Sequence, residues 1–211
     1  MMIIVKLSMN NDNFIIKLKL HRNLWKPINI IDYHQACCHT YRFNLSYSIH
    51  INKKFKKYKN SPNVTCIHIW PLDNLKVNKA YNAINDMHNL VIAPNNNNVS
   101  NYIDSNLNFN FKKYLDTNQE FNDLNFDIFN NDFYNKGLIS RVIFYIVTIY
   151  YDKLLIKNYK WFITNLHKLK KWNMLYPPNK FELLRNYKIK CIQGNVNPYV
   201  INHTLINKIF Y

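Results

Sequence analysis

Two glycines, Gly137 and Gly194, are all that this 211-residue chain contains, and they are isolated from each other. No glycine-rich phosphate loop can be built from them. The longest apolar run, Val142 to Tyr151, is ten residues including Thr148. A bilayer crossing needs roughly 20, so no transmembrane segment is expected. Hydrophobic residues are 48% and aromatic residues 16%, which is a core-forming composition and not a disordered one. The length suits one domain spanning 1–211.

Lys and Arg number 28 against 12 Asp and Glu, a formal charge of +16. The basic residues are 24 Lys and only 4 Arg, beside 37 Asn. These are residues of AT-rich codons, so one reading of the charge is a drifted, solvated lysine surface. The other is a polyanionic partner, most simply nucleic acid. Lys53, Lys54, Lys56, Lys57 and Lys59 interleave with Phe55 and Tyr58. Such a segment can track phosphates and stack on bases, or it can be a solvated loop.

The cysteines Cys37, Cys38, Cys66 and Cys191 match no zinc spacing. One bridge among them is possible but not implied, and isolated thiols fit a reducing compartment. The first 20 residues are broken by Lys6, Asp12, Lys17 and Lys19 and do not read as a secretory signal. A cytoplasmic location is therefore compatible with the sequence, and the expected state is a monomer.

Alternation predicts strands at Phe14 to Leu20 and Tyr41 to Ile51, with a helix opening between Ile28 and Ala36. Val64 to Trp70 is β-branched and apolar and stops at Pro71, which predicts a buried strand ending in a turn. A helix is expected over 78–90, with Ala80, Ile84, Met87 and Leu90 on one face. Residues 104–135 have no clean period. Helices follow at Gly137 to Tyr151, at Trp161 to Tyr176 before Pro177-Pro178, and at 180–192, with a turn cluster at 193–199.

His68 lies inside the apolar strand. Alone, that is the signature of a hydrogen-bonded core histidine. Downstream stand Asp86-Met87-His88-Asn89-Leu90 and, nine residues beyond Asn89, Asn98. A strand-borne His, a turn and then a helix with an Asn is similar to the layout of ββα-metal nucleases. There a neutral imidazole serves as base, and a hard cation takes oxygen ligands.

Five pieces in order carry a closer resemblance. They are Cys66-Ile67-His68-Ile69-Trp70-Pro71, Asp86 to Leu90, Lys136-Gly137-Leu138-Ile139-Ser140-Arg141 with Phe144-Tyr145, Trp172-Asn173-Met174-Leu175-Tyr176-Pro177, and Gln193 to Tyr199. From about Val64 to Val200 the chain resembles the bacterial endonuclease I family, non-specific DNases of the ββα-metal superfamily. Residues 1–35 form a divergent N-terminal segment.

The resemblance implies an α+β fold with a small antiparallel sheet and a helical C-terminal part. It implies hydrolysis of DNA, or of RNA, with Mg²⁺ or another divalent cation such as Ca²⁺ or Mn²⁺. His68 matches the general base, Asn98 the metal ligand, and Asn89 the residue supporting the base-bearing loop. Arg141 matches a helix Arg that either holds the structure or faces the phosphate. Gln193, Asn195 and Asn197 match a segment packed near the site.

Two positions depart from the family. Ile67 replaces a metal-binding Glu, and Asn98-Val99-Ser100-Asn101 lacks the Arg expected three residues after the metal Asn. An eroded relative that binds nucleic acid with little catalysis is the alternative these departures suggest, and a purely structural protein is a third.

Overall fold

The longest apolar run of the sequence becomes the centre of the molecule. A computed structural model describes residues 11–51, 64–70, 72–77, 79–94, 136–154 and 156–210. In chain order these form α1 (Asn11–Trp25), α2 (Tyr33–Ile51), β1 (Val64–His68), α3 (Leu72–Val77), α4 (Tyr81–Asn85), a 3-10 turn (Met87–Asn89) and β2 (Leu90–Pro94). Then come α5 (Lys136–Tyr150), a second 3-10 turn (Tyr151–Lys153), α6 (Ile156–Leu175), α7 (Lys180–Gln193), α8 (Pro198–Ile201) and α9 (Leu205–Ile209). The class is α+β, mostly helical, with one two-stranded antiparallel sheet among the described residues. Residues 53–59, 98 and 104–135, on which several expectations fall, lie outside the described residues.

Helix α5 is buried at every position from Gly137 to Tyr150. Apart from Ser140, Arg141 and Thr148, whose polar atoms all find internal partners, those positions are apolar or aromatic, so the helix becomes the core and other elements coat it. Helices α6, α1 and α8 pack against it. Phe144 meets Phe162, Tyr199 and Phe210 with ring centroids 5.7, 6.2 and 4.8 Å away. Such edge-on and tilted contacts are the favoured aromatic geometries.

Both glycines sit where a side chain would collide. A Cβ on Gly137 would stand 1.9 Å from the carbonyl oxygen of Tyr176, because the start of α5 crosses the chain just beyond α6. Gly137→Ala is therefore expected to lower stability by about 2–3 kcal/mol, read as a fall in the midpoint of thermal denaturation. Gly194 ends α7 at φ 81°. Its open side receives the Ile28 side chain, 2.9 Å from where a Cβ would be.

Three expected elements are overturned. Residues 14–20 are helical, not a strand. Leu18 and Trp25, seven residues apart on one helical face, pack into the core, and that contact overrides the local alternation. Residues 41–51 are likewise the second half of α2, not a strand. The helix is set by Ala36, Thr40 and Phe43, spaced by four and three, which turn toward Cys66, Met87, Leu90 and Ile189.

The single helix expected over 78–90 is broken into α4, the 3-10 turn and the start of β2. Asp86 leaves helical space at φ −68°, ψ 117°. Its carboxylate then caps the turn, accepting from the His88 N–H at 2.9 Å. The strand at Val64, by contrast, forms as expected and ends before Pro71.

Candidate active site

β1 and β2 pair in a register that runs from Val64 opposite Pro94 to His68 opposite Leu90. His68 therefore ends β1 directly across from the close of the Asp86-Met87-His88-Asn89-Leu90 motif. Its side chain is 1% exposed. Nε2 lies 2.9 Å from the Ile84 carbonyl oxygen. A carbonyl only accepts, so Nε2 carries the proton and Nδ1 keeps a lone pair. The Tyr33 ring stacks on the imidazole, with centroids 5.3 Å apart and planes 12° from parallel. Burial pushes the imidazole pKa down to about 4, Lys76 adds to the fall, and the Ile84 hydrogen bond opposes it. His68 is thus neutral at physiological pH.

Asn89 is fully buried and acts as a clamp. Its Oδ1 accepts from the Trp70 N–H at 2.7 Å, and its Nδ2 donates to the Ala83 carbonyl at 3.3 Å and the Trp70 carbonyl at 3.5 Å. The Ile69 N–H adds a bond to the Asn89 carbonyl at 2.8 Å. One side chain thereby joins the segment just after His68 to the end of α4, one residue before the carbonyl that orients His68. Asn89 supports the segment that follows His68 and has its side chain fully engaged by backbone groups.

Behind this clamp lies a buried polar network. The Asp86 carboxylate accepts from the His88 N–H and Gln193 Nε2, each at 2.9 Å, and from the hydroxyls of Tyr145 at 2.8 Å and Tyr150 at 2.9 Å. Burial raises the Asp86 pKa, and the four donors oppose that rise. Gln193 Oε1 accepts from the Met87 N–H at 2.9 Å, and its Nε2 also donates to Asn195 Oδ1 at 2.8 Å. Asn195 in turn donates to the Tyr145 hydroxyl at 2.7 Å. Asn197 lies further off: it caps α8 through the Tyr199 N–H and donates to the Arg141 carbonyl at 3.1 Å. Gln193 and Asn195 thus sit behind the Met87–Asn89 turn, and Asn197 belongs to the helical core.

Arg141 corrects one expectation. Its guanidinium is 0% exposed. Nε donates to Glu182 Oε1 at 2.6 Å and Nη2 to the other carboxylate oxygen, a two-point pairing. Nη1 donates to Asn173 Oδ1 at 3.2 Å and to the Tyr176 carbonyl at 2.8 Å. No phosphate can reach it. Of the two roles open in the sequence, the observed geometry is that of holding the structure: the four acceptor atoms that Arg141 meets are all internal, and His68 is not among its partners.

Three residues around His68 and the Asp86 to Leu90 motif escaped the sequence reading. Tyr33 covers the imidazole, and only its aromatic character hinted at it. Tyr150 completes the Asp86 shell from the end of an apolar run. Arg185 donates from Nη2 to the Met87 and Leu90 carbonyls, both at 2.7 Å, and so pins the turn to α7. Its one available signal was scarcity, since it is one of only four arginines.

The described residues around His68 bring no carboxylate beside Nδ1, and among them no group of three His, Cys, Asp or Glu side chains could hold a metal ion. Ile67, at the family Glu position, is 1% exposed and part of the main apolar cluster. Neighbouring strand residues point to opposite faces, so a carboxylate there enters the core and not the His68 face. Ile67→Glu is expected to cost about 2–4 kcal/mol, with thermal melts in Mg²⁺ and in chelator falling equally. Recovery of the melt by Mg²⁺ would instead place the new carboxylate at an ion.

The described residues thus present an oriented, neutral imidazole at the end of an antiparallel pair, braced by an asparagine clamp. The class this defines is matched by relationship. The family model described as Endonuclease I covers residues 28–204. The chain belongs to the endonuclease I family. Endonuclease-1 of Buchnera aphidicola subsp. Baizongia pistaciae (strain Bp) is 41% identical over 66 residues, which are 31% of this chain and 24% of that protein. The chain thus spans about a quarter of the length of the curated relative it matches. No solved structure matches.

Proposed function

We propose that the chain is a divalent-metal-dependent endonuclease that hydrolyses DNA phosphodiester bonds without strong sequence preference, built as one endonuclease I-like domain with a ββα-metal core. The observation that carries this reading is the His68 geometry. The Ile84 carbonyl holds the proton on Nε2, burial keeps the ring neutral, and Nδ1 is left to take a proton from the attacking water. Tyr33 and Asn89 hold the ring and its backbone in place. Asn98 is the residue assigned to hold the ion, Mg²⁺ or another hard cation, through its carbonyl oxygen. When bound, such an ion supplies charge neutralisation at the phosphate and leaving oxygen.

The test is nicking of supercoiled plasmid by the purified chain with Mg²⁺ and with excess chelator. Metal-dependent nicking supports the reading. Binding of plasmid with no nicking under any divalent cation would replace it with the eroded, non-catalytic relative.

The lysine excess, including Lys53, Lys54, Lys56, Lys57 and Lys59, is assigned to the phosphate backbone. Binding to duplex DNA is then expected to weaken with salt, log K falling by about 0.9 per phosphate neutralised for each unit of log salt. A flat response in a titration by fluorescence anisotropy would leave the +16 charge as compositional drift.

A further inference from the structure

Helix α1 turns Leu18 into the core but leaves Ile16, Leu20 and Leu24 exposed by 51%, 60% and 74%. These positions recur every fourth residue and form one stripe along the helix. Ile28, 77% exposed, continues it past the helix end. The chain there is anchored to the α7 terminus, because the Ile28 and Asn29 N–H groups both donate to the Gln193 carbonyl, at 3.1 and 3.0 Å. Between the two segments opens a groove of about 610 Å³ lined by Leu24, Trp25, Lys26, Ile28, Lys190 and Val196, among others. Lys26 and Lys190 are exposed at the rim of this groove, and Lys19 is exposed one residue before Leu20 of the stripe.

We propose that this face docks on an anionic phospholipid surface, with the aliphatic stripe entering the acyl boundary and the three lysines lying among the headgroups. Four exposed aliphatic side chains in a row are a binding surface in search of an apolar partner. A helix that carries them beside lysines is built to lie in a charged interface. A second copy of this chain fits poorly, since a two-fold contact through the stripe would set the lysines of one copy against those of the other. Nucleic acid fits poorly too. The aliphatic chains offer no stacking face, and Trp25, the aromatic ring in the groove, already stacks on His21 at 4.4 Å.

The experiment is co-flotation of the full chain with vesicles of phosphatidylcholine alone or with roughly one-third phosphatidylglycerol. The expected result is partition to the anionic vesicles only, weakening with salt. The double variant Leu20→Ser and Leu24→Ser should partition about tenfold less. Its thermal midpoint should stay near the parent's, because both side chains are exposed.

Equal partition of parent and variant would overturn the proposal, leaving charge alone as the cause, as would no partition of the parent. A parent dimer in sedimentation, lost in the variant and without vesicle binding, would assign the stripe to a second copy. An equal loss of DNA affinity in the variant would assign it to nucleic acid. None of these readouts depends on nuclease activity.

Discussion

Replacing His68 with glutamine is expected to lower the rate of plasmid nicking by about 10²–10⁴-fold, with DNA affinity unchanged. Glutamine keeps an N–H donor for the Ile84 carbonyl, so the fold retains its bond, but it has no basic nitrogen where Nδ1 stood. His68→Ala should show the same kinetic loss with added instability, because it removes that buried hydrogen bond and leaves a cavity. If the glutamine variant cleaves at the parent's rate, His68 is a core histidine and nothing more.

The same residue sets a pH dependence. The ring titrates at about 4 in the fold, against an ordinary value of 6.5. Between those values the unfolded chain binds a proton that the folded chain refuses. The stabilisation is therefore fully present above pH 6.5 and is lost as pH falls toward 4, about 3 kcal/mol in all. Burial also depresses the His88 pKa, and Arg185 adds to that, so His88 acts in the same direction. Denaturant titrations across this range should show the parent losing stability and the His68→Gln variant losing less. For cleavage, the acid limb of kcat/KM should lie well below the usual histidine range.

Arg141→Met is expected to cost about 3–5 kcal/mol, because it leaves the Glu182 carboxylate buried and unpaired. Glu182→Met should cost a similar amount for the mirror-image reason. The pair Arg141→Met and Glu182→Met should cost much less than the two single losses added together, since no lone charge remains in the core. Chemical denaturation of the four proteins measures this. A phosphate-binding Arg141 would behave otherwise, with stability held and DNA affinity lost.

Elements with an internal stop or an unbroken apolar run were legible in the sequence. The Val64 strand before Pro71, the α5 core helix and the helix ended by Pro177-Pro178 all stand where periodicity and proline chemistry put them. Residues 14–20 and 41–51 were not legible, because their alternation is a local pattern and packing on α5 and the hairpin overrides it. The helix expected over 78–90 is interrupted at a residue whose partners lie far along the chain: Asp86, out of helical space, accepts from Gln193, Tyr145 and Tyr150. Around the hairpin, the placing of His68 opposite the Asp86 to Leu90 motif was readable because both lie in short motifs. Tyr33 and Arg185 were not, since their roles arise from contacts across 35 and 95 residues that no local pattern records.

The bond from Met87 to Gln193 spans 106 residues. Closing a loop of that size from an open chain costs about 4 kcal/mol in chain entropy, so this bond is expected to form after nearer contacts have shortened the loop. On the ribosome, the hairpin that carries His68 is made long before the end of α7 that braces it. Until Gln193 has emerged, Asp86 and the Met87 N–H lack their partner and the imidazole lacks its rigid seat. The seat of the His68 imidazole is thus fastened from a point 106 residues further along the polypeptide.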